Sequence, residues 1–377
     1  MTGFTPPPYP YDRLDGLREL AESRWGSCLD LSVGSPWDPP PAAVREALAR
    51  SDGASAYPPS AGSERLRKAA GSWLRRRFGV EVDPTLQIAA CVGTKEFVAS
   101  LPAYLRLRNP ERDSVLYPEV SYPTYAMGAM LAGCTPVAVP CREDGTLRLD
   151  AVDDAVASRA LCLWVNSPGN PAGGLEDLRA AAEWGRARSV PVISDECYVE
   201  FTWAGRPHSI LEYGVEGVVA LHSLSKRSNM AGIRVGFYSG DEDLVSFLSE
   251  VRRHAGLMVP APAQEAAVAA LGDQGHVEDQ RERYMRRLEA AMELVRAAGA
   301  EAEMPGGGFY LWVRSPGVDA WEFARLLAER AGVLVSPGDF FGDSAKAHVR
   351  VAAVRPADQI RSAAKRLRAG DEGKADR

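Results

Sequence analysis

Val218-Val219-Ala220-Leu221-His222-Ser223-Leu224-Ser225-Lys226 is the stretch on which the fold reading turns. A short β-rich apolar run ends in a hydroxyl residue, and a lysine stands three positions further on. Runs of the same kind recur at 114–117, 135–139, 161–165, 190–194 and 235–239, with helical patterns between them. Several are continuously apolar, as strands covered on both faces are. Strands alternating with helices indicate a parallel α/β sheet, and in such sheets ligands gather at the carboxyl ends of the strands. Asn166-Ser167, Asp195 and Ser223 each follow directly on such a run, so all three face one crevice.

The rest of the chain supplies a second, smaller domain, which 377 residues require once one core is filled. Residues 1–30 read as an N-terminal arm, Pro-rich and extended over the first eleven positions. Helices are expected over 39–48 and 63–78, where apolar residues recur with a helical period. The large domain spans 31–262, with 31–50 partly linking to the small domain at 263–369. That small domain is α+β: a charged amphipathic helix over 280–298, a strand at 309–313, a helix over 320–331 and strands at 333–336 and 348–354. Residues 370–377, charged and Gly-containing, read as a disordered tail.

Composition excludes several classes. Net charge is −6, and the cluster Arg75-Arg76-Arg77 reads as the solvated end of an amphipathic helix rather than a nucleic-acid patch. Six scattered cysteines without C-x-x-C spacing read as reduced thiols, and no run approaches the length of a membrane span. With no basic-then-apolar leader at the N-terminus, a cytoplasmic location is expected. The histidines at 208, 222, 254, 276 and 348 lack metal-ligand spacing, so no metal site is expected. Neither a G-x-S-x-G elbow nor a Walker loop is present.

The residues at the crevice form a set suited to pyridoxal 5′-phosphate. A lysine amine, Lys226, makes a Schiff base with its aldehyde and then moves a proton between the substrate Cα and the cofactor C4′. Asp195, ending the run at 190–194, keeps the pyridine nitrogen protonated. Tyr198 and Asn170 reach the ring phenolate oxygen, while Ser223, Ser225 and Arg234 neutralise the phosphate. Gly93-Thr94-Lys95 lies between the apolar run 88–92 and an apolar helix, and amides at a helix N-terminus complete the phosphate cup. Tyr122 is the choice for stacking on the pyridine face, with Tyr125 the alternative. Arg350, on a short strand of the small domain, is matched to the substrate α-carboxylate, and Gly34 lets the backbone approach that substrate closely. Arg227, Arg253 and Lys95 are candidates for a distal anion.

Order and spacing of these motifs resemble the fold-type-I aminotransferases over nearly the whole chain, from 31–34 to 348–350. The segments 30–36, 121–125, 222–229, 258–262 and 335–342 look like those of actinobacterial succinyldiaminopimelate aminotransferases. The resemblance implies an α/β fold-type-I architecture, with a mainly parallel seven-stranded sheet in the large domain and a smaller α+β domain. It further implies transfer of an amino group from glutamate to N-succinyl-2-amino-6-ketopimelate. Tyr57 resembles the tyrosine that crosses a dimer interface to the neighbouring phosphate, implying a homodimer with shared sites. The chain departs from the family pattern at Ala172, where threonine is usual, at Gly174, where lysine is common, and in Gly306-Gly307-Gly308, whose extra glycine is expected to widen the entrance. The same cofactor set also serves a paralogue with another amino-acid substrate, an elimination or carbon–carbon bond formation. A non-catalytic sensor is disfavoured, because about thirty residues before Leu31 are too few for a DNA-binding module.

Overall fold

The computed structural model describes residues 4–51 and 56–375, with 370–375 described by backbone alone. Its contacts divide the chain into a larger unit, Ser35–Arg283 with Pro305–Gly308, and a smaller one made of residues up to Gly34, Tyr284–Met304 and those from Phe309 onward.

Strand β1 (Leu29–Asp30) belongs to the smaller unit. The next seven build the sheet of the larger: β2 (Ile88–Cys91), β3 (Ser114–Pro118), β4 (Thr135–Val139), β5 (Ala160–Asn166), β6 (Val192–Asp195), β7 (Val218–Ser223) and β8 (Gly236–Gly240). Their order is β2-β8-β7-β6-β5-β3-β4. All neighbours pair in parallel except β8, which runs against both β2 and β7. Both faces are covered. On one, Leu163, Val165, Val192, Val218 and Ala220 pack with the helices Glu64–Phe78 and Leu178–Arg188. On the other, Trp164, Ile193, Val219 and Leu221 pack with the helices Thr94–Arg108 and Glu242–His254. Alternate residues of one strand thus enter opposite cores, which is why β5 is buried along its whole length.

Helix 63–78 of the sequence reading forms as Glu64–Phe78, with the Ser63 hydroxyl accepting from the Leu66 amide at 3.2 Å as its cap. Of the arginine cluster at its end, Arg75 and Arg76 are exposed, but Arg77 turns onto the buried Glu200 at 2.8 Å. The expected domain division at 262 falls inside the helix Ala261–Gly272. This helix stays in the larger unit because its small residues Ala263, Ala266, Ala267 and Ala270 join that unit's core.

In the smaller unit β1 pairs in parallel with β10 (Val333–Leu334). β9 (Tyr310–Arg314), β11 (Ser336–Pro337) and β12 (His348–Ala352) form an antiparallel sheet ordered β11-β12-β9. The helix Ala357–Ala375 continues through backbone positions 370–375, where a disordered tail is expected, and residues 376–377 lie outside the described residues. Among the described residues no helix is long and apolar enough to cross a membrane.

Candidate active site

Four strand ends meet at one edge of the large sheet. Asn166 of β5 is the register partner of Asp195 of β6, while Ser223 of β7 and Cys91 of β2 both face Gly236 at the start of β8. Loops leaving these ends carry the crevice residues of the larger unit.

Asp195 is buried, and each carboxylate oxygen has a donor. The Cys197 amide donates to Oδ1 at 3.1 Å and the Tyr125 hydroxyl to Oδ2 at 2.8 Å. Burial pushes the carboxyl above its ordinary range; the Cys197 and Tyr125 hydrogen bonds and the nearby Lys226 charge pull the other way. A buried carboxylate of this kind favours a cationic partner, as a protonated pyridine nitrogen is. The Cys197 thiol, itself pushed well up by burial and by Asp195, stays protonated and donates to Thr94 Oγ1 at 3.4 Å. Tyr198 is buried three residues beyond Asp195 and opens the turn Val199–Phe201.

Lys226 is half-buried in the short helix Leu224–Arg227, which Ser223 caps by accepting from the Ser225 amide at 3.2 Å. Behind it, Arg227 donates to Glu200 at 3.1 Å and to the Ala270 carbonyl at 2.7 Å. Burial raises the Glu200 carboxyl, but Arg227 and Arg77 outweigh it and hold the group below the usual carboxylate range. Arg227 is therefore committed to the fold and is not a distal-anion partner. Ser228 Oγ lies 2.9 Å from His276 Nε2, and His276 Nδ1 lies 3.1 Å from Asp273. The spacing is that of a hydrolytic triad, but Ser228 is fully buried and takes a further bond from Arg227 at 3.1 Å. It anchors the lysine turn.

Gly93 lies two residues beyond β2 with φ +74° and precedes the helix Thr94–Arg108, whose start has no side-chain cap. A Cβ at Gly93 would occupy the Arg234 guanidinium, so glycine is what lets Arg234 lie over this helix start. Arg234 is left-handed at φ +60°, is held by the Ala231 carbonyl at 2.8 Å, and opens to solvent. Uncapped amides beside a guanidinium and the hydroxyls of Thr94 and Ser223 form a cradle fitted to a phosphate. Lys95 is exposed on the first helical turn.

Asn170 is buried, and its amide donates to Asn166 Oδ1 at 2.7 Å. The turn it begins is packed without slack. A Cβ at Gly174 would enter the Asp144 carbonyl, and one at Gly307 would enter the Pro168 ring. Gly174 and Gly307 are thus consumed by close packing, and a Cβ at Gly306 would lie 3.0 Å from the Gly173 carbonyl, so these glycines do not open space there. Tyr125 is fully buried, stacked on Trp164 at 5.0 Å with its hydroxyl on Asp195, so it is not the ring-stacking residue. Tyr122 is half-buried and edge-on to Tyr125 at 5.9 Å. Tyr57 is 93% exposed.

Arg350 and Gly34 lie in the smaller unit. Arg350 is 2% exposed; its Nη2 donates to the Tyr11 hydroxyl at 2.9 Å and the Ser32 carbonyl at 2.6 Å, and its guanidinium lies 4.2 Å from the Tyr310 ring centre. A Cβ at Gly34 would run into the Tyr310 phenol, so contact inside this unit already requires glycine there. The bonds of Tyr125 and Asn166 to Asp195 join residues far apart in the chain and are not legible in the local sequence. The signals available were a second tyrosine one helical turn after Tyr122 and an asparagine ending a wholly apolar strand.

A half-buried lysine, a buried acid and an uncapped helix start beside an arginine are groups that could hold pyridoxal phosphate. A family profile described as aminotransferase class I and II matches residues 27–367, and the chain belongs to that family. It is 41% identical over 369 residues to a probable aminotransferase of Mycobacterium tuberculosis, covering 96% of this chain and 85% of that protein. It is equally, 41%, identical over 369 residues to the 4-dedimethylamino-4-oxo-anhydrotetracycline transaminase of Streptomyces rimosus, covering 96% and 99%. Among solved structures, a probable N-succinyldiaminopimelate aminotransferase from Thermus thermophilus superposes with a TM-score of 0.85 at 34% identity, over 95% of this chain and 99% of that one.

Proposed function

We propose that this aminotransferase moves an amino group from glutamate to N-succinyl-2-amino-6-ketopimelate, as a cytoplasmic homodimer with shared sites. The observation that carries the reading is Arg350, a buried guanidinium on β12 whose Nη2 donates to a hydroxyl and a carbonyl. Such a group matches the carboxylate adjoining the amine of glutamate and the one adjoining the ketone of the acceptor. The resemblance of segments 30–36 and 335–342, and the Thermus thermophilus structure, support that acceptor. The 93% exposure of Tyr57 suits a side chain that reaches a second copy.

When bound, pyridoxal phosphate supplies an aldehyde that exchanges amines and a ring that withdraws electrons from the substrate Cα. Asp195 holds a proton at the pyridine nitrogen. Asn170 and Tyr198 bind the phenolate oxygen, and Tyr122 covers one ring face. Gly93, Thr94, Lys95, Ser223, Ser225 and Arg234 hold the phosphate, joined by Tyr57 of a second copy. Lys226 would accept the proton at the substrate Cα and serve as the proton carrier of the site.

A second reading follows from the 41% identity to the Streptomyces rimosus enzyme, whose named substrate is a fused-ring ketone. Glutamate-driven amination of a panel containing both ketones separates the two. Turnover of the keto-pimelate with loss in Arg350→Ala supports the first reading, and turnover of the ring ketone alone overturns it.

A further inference from the structure

Asn166 belongs to none of the groups assigned above, yet both ends of its buried side-chain amide are committed. Its Nδ2 donates to the Asp195 carbonyl at 2.8 Å, and its Oδ1 accepts from the Asn170 amide at 2.7 Å. The Asp195 carbonyl also accepts from the Ser167 amide at 3.2 Å, so β5 and β6 are tied together just beyond their last register pair, Asn166 with Asp195. Asp195 and Asn170 address opposite points of one pyridine ring, the nitrogen and the phenolate oxygen. A rigid ring tolerates little error in that span, because both contacts must form at once.

We propose that Asn166 is a positioning residue: one planar amide bridges the backbones of Asp195 and Asn170 and fixes where Asn170 meets the cofactor ring. The inference rests on the site reading above. A side-chain amide offers a donor and an acceptor in one plane, and here each end takes the backbone of a different ring-holding residue. Removing it takes away the bond at the Asn170 amide and lets the 167–174 turn shift. Asn170 then loses its hold on the phenolate oxygen. A donor withdrawn from that oxygen lets the neighbouring cofactor nitrogen keep its proton to higher pH.

The test is a spectrophotometric pH titration of the bound-cofactor absorbance in holoenzyme, with the glutamate half-reaction rate measured alongside. Asn166→Ala is expected to raise the apparent pKa of the absorbance transition by about one unit, a tenfold change in proton affinity, and to slow the half-reaction about tenfold. Asn170→Ala is expected to shift the transition the same way, and the double variant to shift it no further than Asn170→Ala alone, as for residues acting through one contact. Asn166→Leu keeps the volume and serves if the alanine variant does not hold its fold. An unmoved transition with only thermal stability lost overturns the proposal, as do additive shifts in the double variant. Borohydride reduction of wild type and Lys226→Ala separates this from failure of the site reading itself: cofactor fixed elsewhere than Lys226 sinks the site, whatever Asn166 does.

Discussion

Tyr125→Phe removes one oxygen from a fully buried ring and leaves its stacking on Trp164 intact at 5.0 Å. What disappears is the 2.8 Å bond to Asp195 Oδ2. A hydrogen bond to a charged group contributes about 1.5–3 kcal/mol, and one pKa unit corresponds to about 1.4 kcal/mol. The Asp195 carboxyl, already raised by burial, is then expected to climb by a further one to two units, roughly. Tyr125 itself is held well above its ordinary range by burial and by Asp195, so its phenol stays a neutral donor through the assay range. In the proposed role, Asp195 would hold the ring proton only when ionised. The acidic limb of kcat/KM for glutamate should therefore move up by about one to two pH units, with little loss on the alkaline side. Steady-state profiles of wild type and Tyr125→Phe from acid to mildly alkaline pH measure this. An acidic limb that does not move, with the rate changed less than twofold, refutes the coupling and leaves Tyr125 a packing residue.

Three further outcomes follow from the geometry. Gly93→Ala places a Cβ in the Arg234 guanidinium at φ +74°, and the cofactor dissociation constant, read by absorbance titration, should rise about tenfold or more; unchanged affinity removes Arg234 from the phosphate cradle. Glu196 is buried, accepts from the Ser194 hydroxyl at 2.9 Å and the Ile210 amide at 2.8 Å, and is pushed by burial from 4.5 to about 8. Above the unfolded value the unfolded chain sheds this proton while the folded one keeps it, so stability falls as pH rises until about 8. Glu196→Gln cannot ionise and keeps the acceptor oxygen, so its melting-temperature advantage should grow between pH 5 and 8, toward a gain on the order of 4 kcal/mol. A pH-independent difference contradicts the burial argument. Gly174→Ala should cost about 1–3 kcal/mol in thermal denaturation, since its Cβ enters the Asp144 carbonyl; a neutral result means that the turn has slack.

Reading strands from apolar runs worked where burial is continuous. The expected strand at 161–165 forms as Ala160–Asn166, longer at both ends, and that at 218–222 as Val218–Ser223, longer at its carboxyl end. Period alone is silent about direction, and β8 runs against its neighbours. The Ala-rich helix Ala261–Gly272 carries too little periodic contrast to show which unit it joins. Glycines at 34 and 307 invite explanation by substrate access, whereas their Cβ positions are taken by Tyr310 and Pro168, as that of Gly174 is by Asp144.

Local sequence by itself determined the strand runs, the polar residue that ends each one, and hence the shared edge on which Asp195, Ser223 and Lys226 lie, because side-chain periodicity and turn chemistry act over a few residues. Only the tertiary structure decided that Tyr125 serves Asp195 from 70 positions away, that Arg227 is consumed by Glu200, and that Asn166 joins two loops. A sequence shows that a polar group is destined for burial; which partner satisfies it depends on how the layers pack.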